Sequence, residues 1–157
     1  MIEIVHPALP APGRLFAGPR PDPPYAAAAA ALRAGGVTTV VSLLGEGELS
    51  PALERAYADA GLALRRFPIA DFGVPADAAA FRSFLERMLM DLRAGEGIYL
   101  HCAMGRGRTG TAVACLLALA GAEGDPVALT RMLYRRDTVA TAGQRAFVAG
   151  FRARREG

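Results

Sequence analysis

The chain has only two cysteines in 157 residues, Cys102 and Cys115, and no C-x-x-C pair. A disulfide framework is therefore excluded, and no clustered His/Cys spacing suggests zinc. A reducing compartment fits two free thiols best. Long hydrophobic runs are also missing: the longest apolar stretch, Thr111 to Ala120, is about half of what a membrane span requires. Met1 to His6 carries an acid and no basic region ahead of a long apolar core, so it does not read as a secretion signal. Charge of one sign is scarce as well. Lysine and arginine total 18 against 15 acids, leaving a net charge of +3, and the pI of about 9.3 leans only weakly towards anionic partners. The expectation is a cytoplasmic protein of one domain acting as a monomer. It has no nucleic-acid partner, no stable membrane association, and no metal or cofactor. Arg152, Arg154 and Arg155 read as a solvated helix end that suits the helix dipole.

What is present fits one domain spanning residues 1–157, since an apolar fraction of 52% is ample for a core at this length. Residues 1–24 carry seven prolines and read as irregular chain laid over the domain, with Arg14 to Gly18 as a possible edge strand. From there helices and strands alternate. Ala26 to Ala34 is a helix closed by Gly35 and Gly36, and Val37 to Leu44 is a strand buried on both faces. Pro51 to Ala60 is helical, Leu62 to Ile69 a strand. Asp77 caps a helix whose buried face is Phe81, Phe84, Leu85, Met88, Leu89 and Leu92. Ile98 to His101 is a short strand, Thr109 to Ala120 a buried helix, and two more helices lie near Asp125 to Arg135 and Gly143 to Arg154. Strands separated by helix-length segments require crossovers. The fold class is therefore α/β, a mainly parallel central sheet of four to five strands flanked by helices.

The loop after Leu100 lies beyond the carboxyl end of a strand, where such sheets bind ligands. It reads His101, Cys102, Ala103, Met104, Gly105, Arg106, Gly107, Arg108, Thr109, Gly110. A loop that wraps into a helix N-terminus aims backbone N–H groups inward, so Ala103 to Arg108 form a cradle for a phosphate dianion or sulfate. Glycines at 105 and 107 permit the tight path. Those amides, the helix dipole and a nearby guanidinium favour the thiolate of Cys102, which makes it a nucleophile. Arg108 can return across the loop and grip two phosphate oxygens as a bidentate fork. Thr109 is placed for its hydroxyl to donate to the cysteine sulfur, easing its departure. His101 orders the loop through backbone hydrogen bonds and is not expected to be a general base. Cys115 reads as helix packing.

This His-Cys-x5-Arg-Thr-Gly run resembles the signature of the protein tyrosine phosphatase superfamily. His101 to Leu117 together with Phe67 to Pro75 look like the small atypical dual-specificity phosphatases of the VHZ type. The resemblance implies a parallel sheet ringed by helices, and a cysteine-dependent phosphomonoester hydrolase acting through a phosphocysteine intermediate. One carboxyl group can serve both the leaving oxygen and the attacking water. Asp71 resembles the family's general acid, with Asp77 and Asp59 as rivals and a plain turn aspartate as the bland alternative. Thr141, Gln144, Phe147 and Val148 match the family's glutamine-bearing segment. Arg136, Asp137 and Ala140, however, stand where Pro, Gly and Glu are frequent, and a surface glutamine on a helix stays open for Gln144. Arg135 can be a second arginine that supports the loop. The substrate is a phosphorylated protein or a small phosphomonoester. A phosphoinositide, for which Arg106 is the one extra cation in the loop, is the alternative on the same scaffold. A rhodanese-like sulfurtransferase and a module that binds phosphorylated ligands without turnover are further rivals.

Overall fold

The structure, a computed structural model, describes residues 1–156, with side chains described through Arg152. Arg154 and Arg155, two of the C-terminal cations singled out above, lie outside the described side chains. The elements run β1 (Ile2–Ile4), β2 (Arg14–Gly18), α1 (Tyr25–Ala34), β3 (Thr39–Ser42), α2 (Pro51–Asp59) and β4 (Ala63–Arg66). They continue with α3 (Ala78–Arg93), β5 (Gly97–His101), α4 (Gly107–Ala120), α5 (Pro126–Leu133) and α6 (Ala142–Glu156). One sheet of order β1-β2-β5-β3-β4 holds all five strands, with β1 antiparallel to β2 and every other pair parallel. The expected α/β class, mainly parallel sheet and flanking helices are all present.

Local chemistry starts the helices where the sequence signals them. Asp77 accepts from the Ala80 N–H at 3.0 Å, Ser50 from Leu53 at 3.1 Å and Asp125 from Ala128 at 2.9 Å. Each such cap stabilises its helix by about 1 kcal/mol. Helices cover both faces of the sheet. One core gathers α3, α4, α5 and α6 side chains, among them Phe81, Leu85, Met88, Leu117 and Phe151, over Leu15, Val41 and Leu100. The other gathers α1 and α2, with Leu32, Leu53 and Tyr57, over Phe16, Val40 and Tyr99. Helix α4 is the innermost helix: every side chain from Arg108 to Ala118 is buried, because α3, α5 and α6 all pack on it. That position explains its run of small and apolar residues.

The lead-in departs from expectation. Arg14–Gly18 is not an edge strand in irregular chain. It lies inside the sheet between β1 and β5, with Leu15, Phe16 and Ala17 buried, and β1 forms the edge. The prolines fall outside the two strands and punctuate them, while the pairing itself, Leu15 with Ile98 and Ile4 with Leu15, joins segments that no local pattern links.

Parallel pairing has one consequence for function. The carboxyl ends of β2, β3, β4 and β5 share one edge of the sheet. The segments that follow them, carrying Arg20, Glu48, Asp71 and Cys102, converge there.

Candidate active site

The turn from β5 into α4 is held from outside by its carbonyls. The Cys102 carbonyl accepts from His101 Nδ1 at 3.0 Å, Ala103 from the Arg20 N–H at 3.0 Å, Met104 from Arg135 at 3.3 Å and Gly105 from the Tyr134 hydroxyl at 2.6 Å. In a trans peptide the following N–H points opposite to its carbonyl. Four outward carbonyls therefore turn the N–H groups of Ala103, Met104, Gly105 and Arg106 the other way, towards the start of α4. This is an anion cradle. Glycine is required where the chain is crowded or left-handed: Gly105 has φ +71° and packs against the Gly18 backbone, and a Cβ at Gly110 would stand 2.6 Å from Thr138 Cβ.

His101 is fully buried between Tyr57, whose hydroxyl lies 3.0 Å from Nε2, and the Cys102 carbonyl. Burial lowers its pKa to about 4, so the ring is neutral, donates through Nδ1 and accepts from Tyr57 through Nε2. The ring thus links Tyr57 to the Cys102 carbonyl at the start of the loop, and both of its nitrogens are engaged.

The cradle opens on a cleft of about 280 Å³ lined by Asp71, Phe72, Cys102, Met104, Arg106, Gly107, Arg108, Ala140 and Gln144. Cys102, 3% exposed, forms part of its floor. Arg108, 2% exposed, is held by a forked pair to Glu48 at 2.7 and 3.1 Å, by the Ile69 carbonyl at 2.9 Å and by Asp71 at 3.2 Å. Burial works against its charge, but Glu48, Cys102 and Asp71 outweigh that and raise its pKa. The Arg108 hydrogen bond in turn lowers the pKa of Glu48.

Most of the residues singled out in the sequence meet here. Asp71 reaches the cleft and Arg108, while Asp77 caps α3 and Asp59 lines a distant groove between α1 and α2, so neither rival is at the site. Gln144 is not a surface residue. It is fully buried, its amide oxygen accepts from Ala140 and Thr141 N–H, and its amide nitrogen donates to the Gly73 carbonyl at 3.1 Å. It therefore ties α6 to the loop that bears Asp71, and its side chain fills the space a Cβ at Gly107 would need. One expectation fails in detail. The Thr109 hydroxyl is buried and bonds to nothing, where a bond to the cysteine sulfur was expected; it remains a donor available to a thiolate or bound oxyanion. Ala103 and Gly105 belong to the cradle through their backbone N–H groups and do not line the cleft. Cys115 is buried in the core, and burial pushes its thiol pKa far up, consistent with packing.

Sequence reasoning missed Glu48, Tyr57, Tyr134 and the end of β2. Glu48 had a usable signal, because it follows a strand whose carboxyl end had to share the edge with Leu100. The tyrosines had none, since their partners are 44 and 29 positions away.

A cysteine-bearing loop, a buried arginine and a carboxylate line one cleft at the carboxyl edge of the mainly parallel sheet. A family model described as Tc-R-P, a DSP-PTPase phosphatase of polymorphic toxin systems, matches residues 19–122. The chain belongs to this DSP-PTPase phosphatase family. A viral relative, "Putative tyrosine phosphatase 067L" of Invertebrate iridescent virus 3, is 46% identical over 56 residues, which is 34% of this chain and 23% of the viral protein. The match thus spans about a quarter of that relative. Among solved structures, kinase associated phosphatase with its catalytic cysteine replaced by serine superposes with TM-score 0.77 at 25% identity, over 90% of this chain and 86% of the other. Tk-PTP in its active form gives 0.75 at 22%, over 90% and 92%. PTPMT1 in complex with PI(5)P gives 0.70 at 19%, over 88% and 91%.

Proposed function

We propose that this chain hydrolyses phosphomonoesters through a phosphocysteine intermediate on Cys102. The single observation that carries the reading is the shared cleft: Cys102 on its floor, Arg108 buried beside it and Asp71 at its wall. Cys102 Sγ attacks phosphorus, the bond from phosphorus to the leaving oxygen breaks, and Asp71 supplies that oxygen with a proton. Water then attacks the phosphocysteine, Asp71 takes its proton, the S–P bond breaks, and phosphate leaves with the thiolate restored. Arg108 and the inward amides hold the equatorial oxygens throughout. Glu48 and the Ile69 carbonyl orient the guanidinium before substrate arrives, and a phosphate gripped through Nε and Nη2 has to displace only the Asp71 contact. Gln144 positions the water by holding the Asp71 loop and the start of α6 in one register.

Residues 1–157 act as one catalytic domain in this reading, with a monomeric enzyme in the reducing cytoplasm as its setting. Among the described residues no helix is long and apolar enough to cross a membrane. Phosphotyrosine and phosphothreonine peptides are the proposed substrates. The likeness to PTPMT1 makes a phosphoinositide the reading to test beside them. Hydrolysis of p-nitrophenyl phosphate by the wild type without added metal, and its loss in Cys102→Ser, is the expected result. An unchanged rate in the serine variant would refute the assignment.

A further inference from the structure

The rim of the cleft carries a charge arrangement that the hydrolytic mechanism does not use. Arg106 lines the cleft with its side chain half-exposed, the placement of a cation that could grip a second phosphate on the substrate. It does not stand there unopposed. Its Nε lies 2.9 Å from Asp137 Oδ2, and the same oxygen is 3.1 Å from Arg135 Nη2. Arg135 is also spent on the loop, donating to the Met104 carbonyl. The Asp137 carboxylate is itself 46% exposed on its side chain, so it faces the solvent from which a ligand arrives.

The one carboxylate is shared by two guanidiniums, so the cluster keeps a net positive charge, but next to Arg106 it screens that cation and any second phosphate reaching Arg106 meets it as a like charge. The other cation at this point of the rim, Arg135, shares the same carboxylate and is 30% exposed on its side chain. Phe72 and Met104, both cleft-lining, are 75% and 60% exposed and present apolar surface.

We propose that Asp137 is a specificity-determining residue that restricts this site to substrates with a single phosphoryl group, by screening Arg106 and repelling a second phosphate. The inference rests on the hydrolytic reading above and narrows its substrate class. It disfavours multiply phosphorylated inositides and favours singly phosphorylated side chains or small esters.

The test compares kcat/KM for a singly phosphorylated aryl phosphate with that for a soluble phosphatidylinositol bisphosphate, in the wild type, Asp137→Asn and Asp137→Ala. The asparagine keeps a partner for both arginines while removing the charge, so it separates repulsion from loss of a brace. The expected result is a rise of about tenfold in the bisphosphate-to-monophosphate ratio in both variants, carried by KM. The gain should shrink as salt rises and vanish when Arg106→Ala is added. A ratio that does not rise, or a parallel fall for both substrates, overturns the inference and makes Asp137 a structural brace. Affinity for inositol bisphosphate in a Cys102→Ser background, with and without Asp137→Asn, gives the same decision without turnover. Absence of hydrolysis of every substrate by the wild type would instead strike the underlying reading, while those affinities would still decide this one.

Discussion

Arg106 and Arg108 stand two positions apart in one loop and line the same cleft, yet the fold treats them in opposite ways. Arg108 is 2% exposed and fixed by two carboxylates and a carbonyl from the segments after β3 and β4, whereas Arg106 is half-exposed and tied to a single exposed carboxylate. A charge taken out of water must have its donors matched, and its geometry then becomes rigid. A charge left in water keeps its freedom, and its pairing is worth little to stability. Burial, more than residue type, separates the arginine that can stabilise a transition state from the one that can only bias which ligand enters.

That contrast can be broken most severely at position 108. Arg108→Lys keeps the charge but loses the fork to Glu48 and the bidentate grip on phosphate, so kcat/KM should fall on the order of 10³-fold with the fold retained. A loss under tenfold would mean that the buried guanidinium is structural. Asp71→Asn comes next. Turnover of an alkyl phosphate, a poor leaving group, should drop about 10²-fold while a nitrophenyl ester changes little; equal losses for both would point to a different acid.

The buried side of the loop also sets an acid limit on stability. In the unfolded chain His101 takes up a proton near pH 6.5, whereas burial holds it neutral down to about pH 4 in the fold. Between those values the unfolded state binds more protons. Stability is therefore full above pH 6.5 and declines as pH falls towards 4, by about 3 kcal/mol in total. Denaturant midpoints taken between pH 7 and 5 should show this slope in the wild type and a flatter one in His101→Asn. An identical slope would place the acid sensitivity elsewhere. Smallest of all is the effect of Arg106→Ala on a singly phosphorylated substrate, expected below about threefold in kcat/KM; a loss as large as that of Arg108→Lys would erase the distinction between the two arginines.

How much of this was legible in the sequence divides along the same line between local and distant contacts. Helix caps at Ser50, Asp77 and Asp125, the apolar face of α3, and the strand, loop and helix around Cys102 are written in neighbouring residues and were readable from them. Asp71 was singled out by its resemblance to a family loop, and its nearness to the cleft follows from parallel strands ending on one edge. The place of β2 inside the sheet was not readable, because proline density masked it and its partner β5 lies some eighty positions on. Glu48 and Tyr57 were hidden for the same reason, their partners Arg108 and His101 being 60 and 44 positions away. For Gln144 a helix-surface place stayed open beside the functional one, because its burial depends on the Asp71 loop folding over it.

The central claim is that the sulfur at position 102 carries the phosphoryl group during turnover. Rapid acid quench of the wild type and of Asp71→Asn during hydrolysis, followed by peptide mass analysis, should find one phosphoryl group on the peptide bearing Cys102 and none in Cys102→Ser. Turnover at full rate with phosphate never found on Cys102, or found on another residue, would contradict the account.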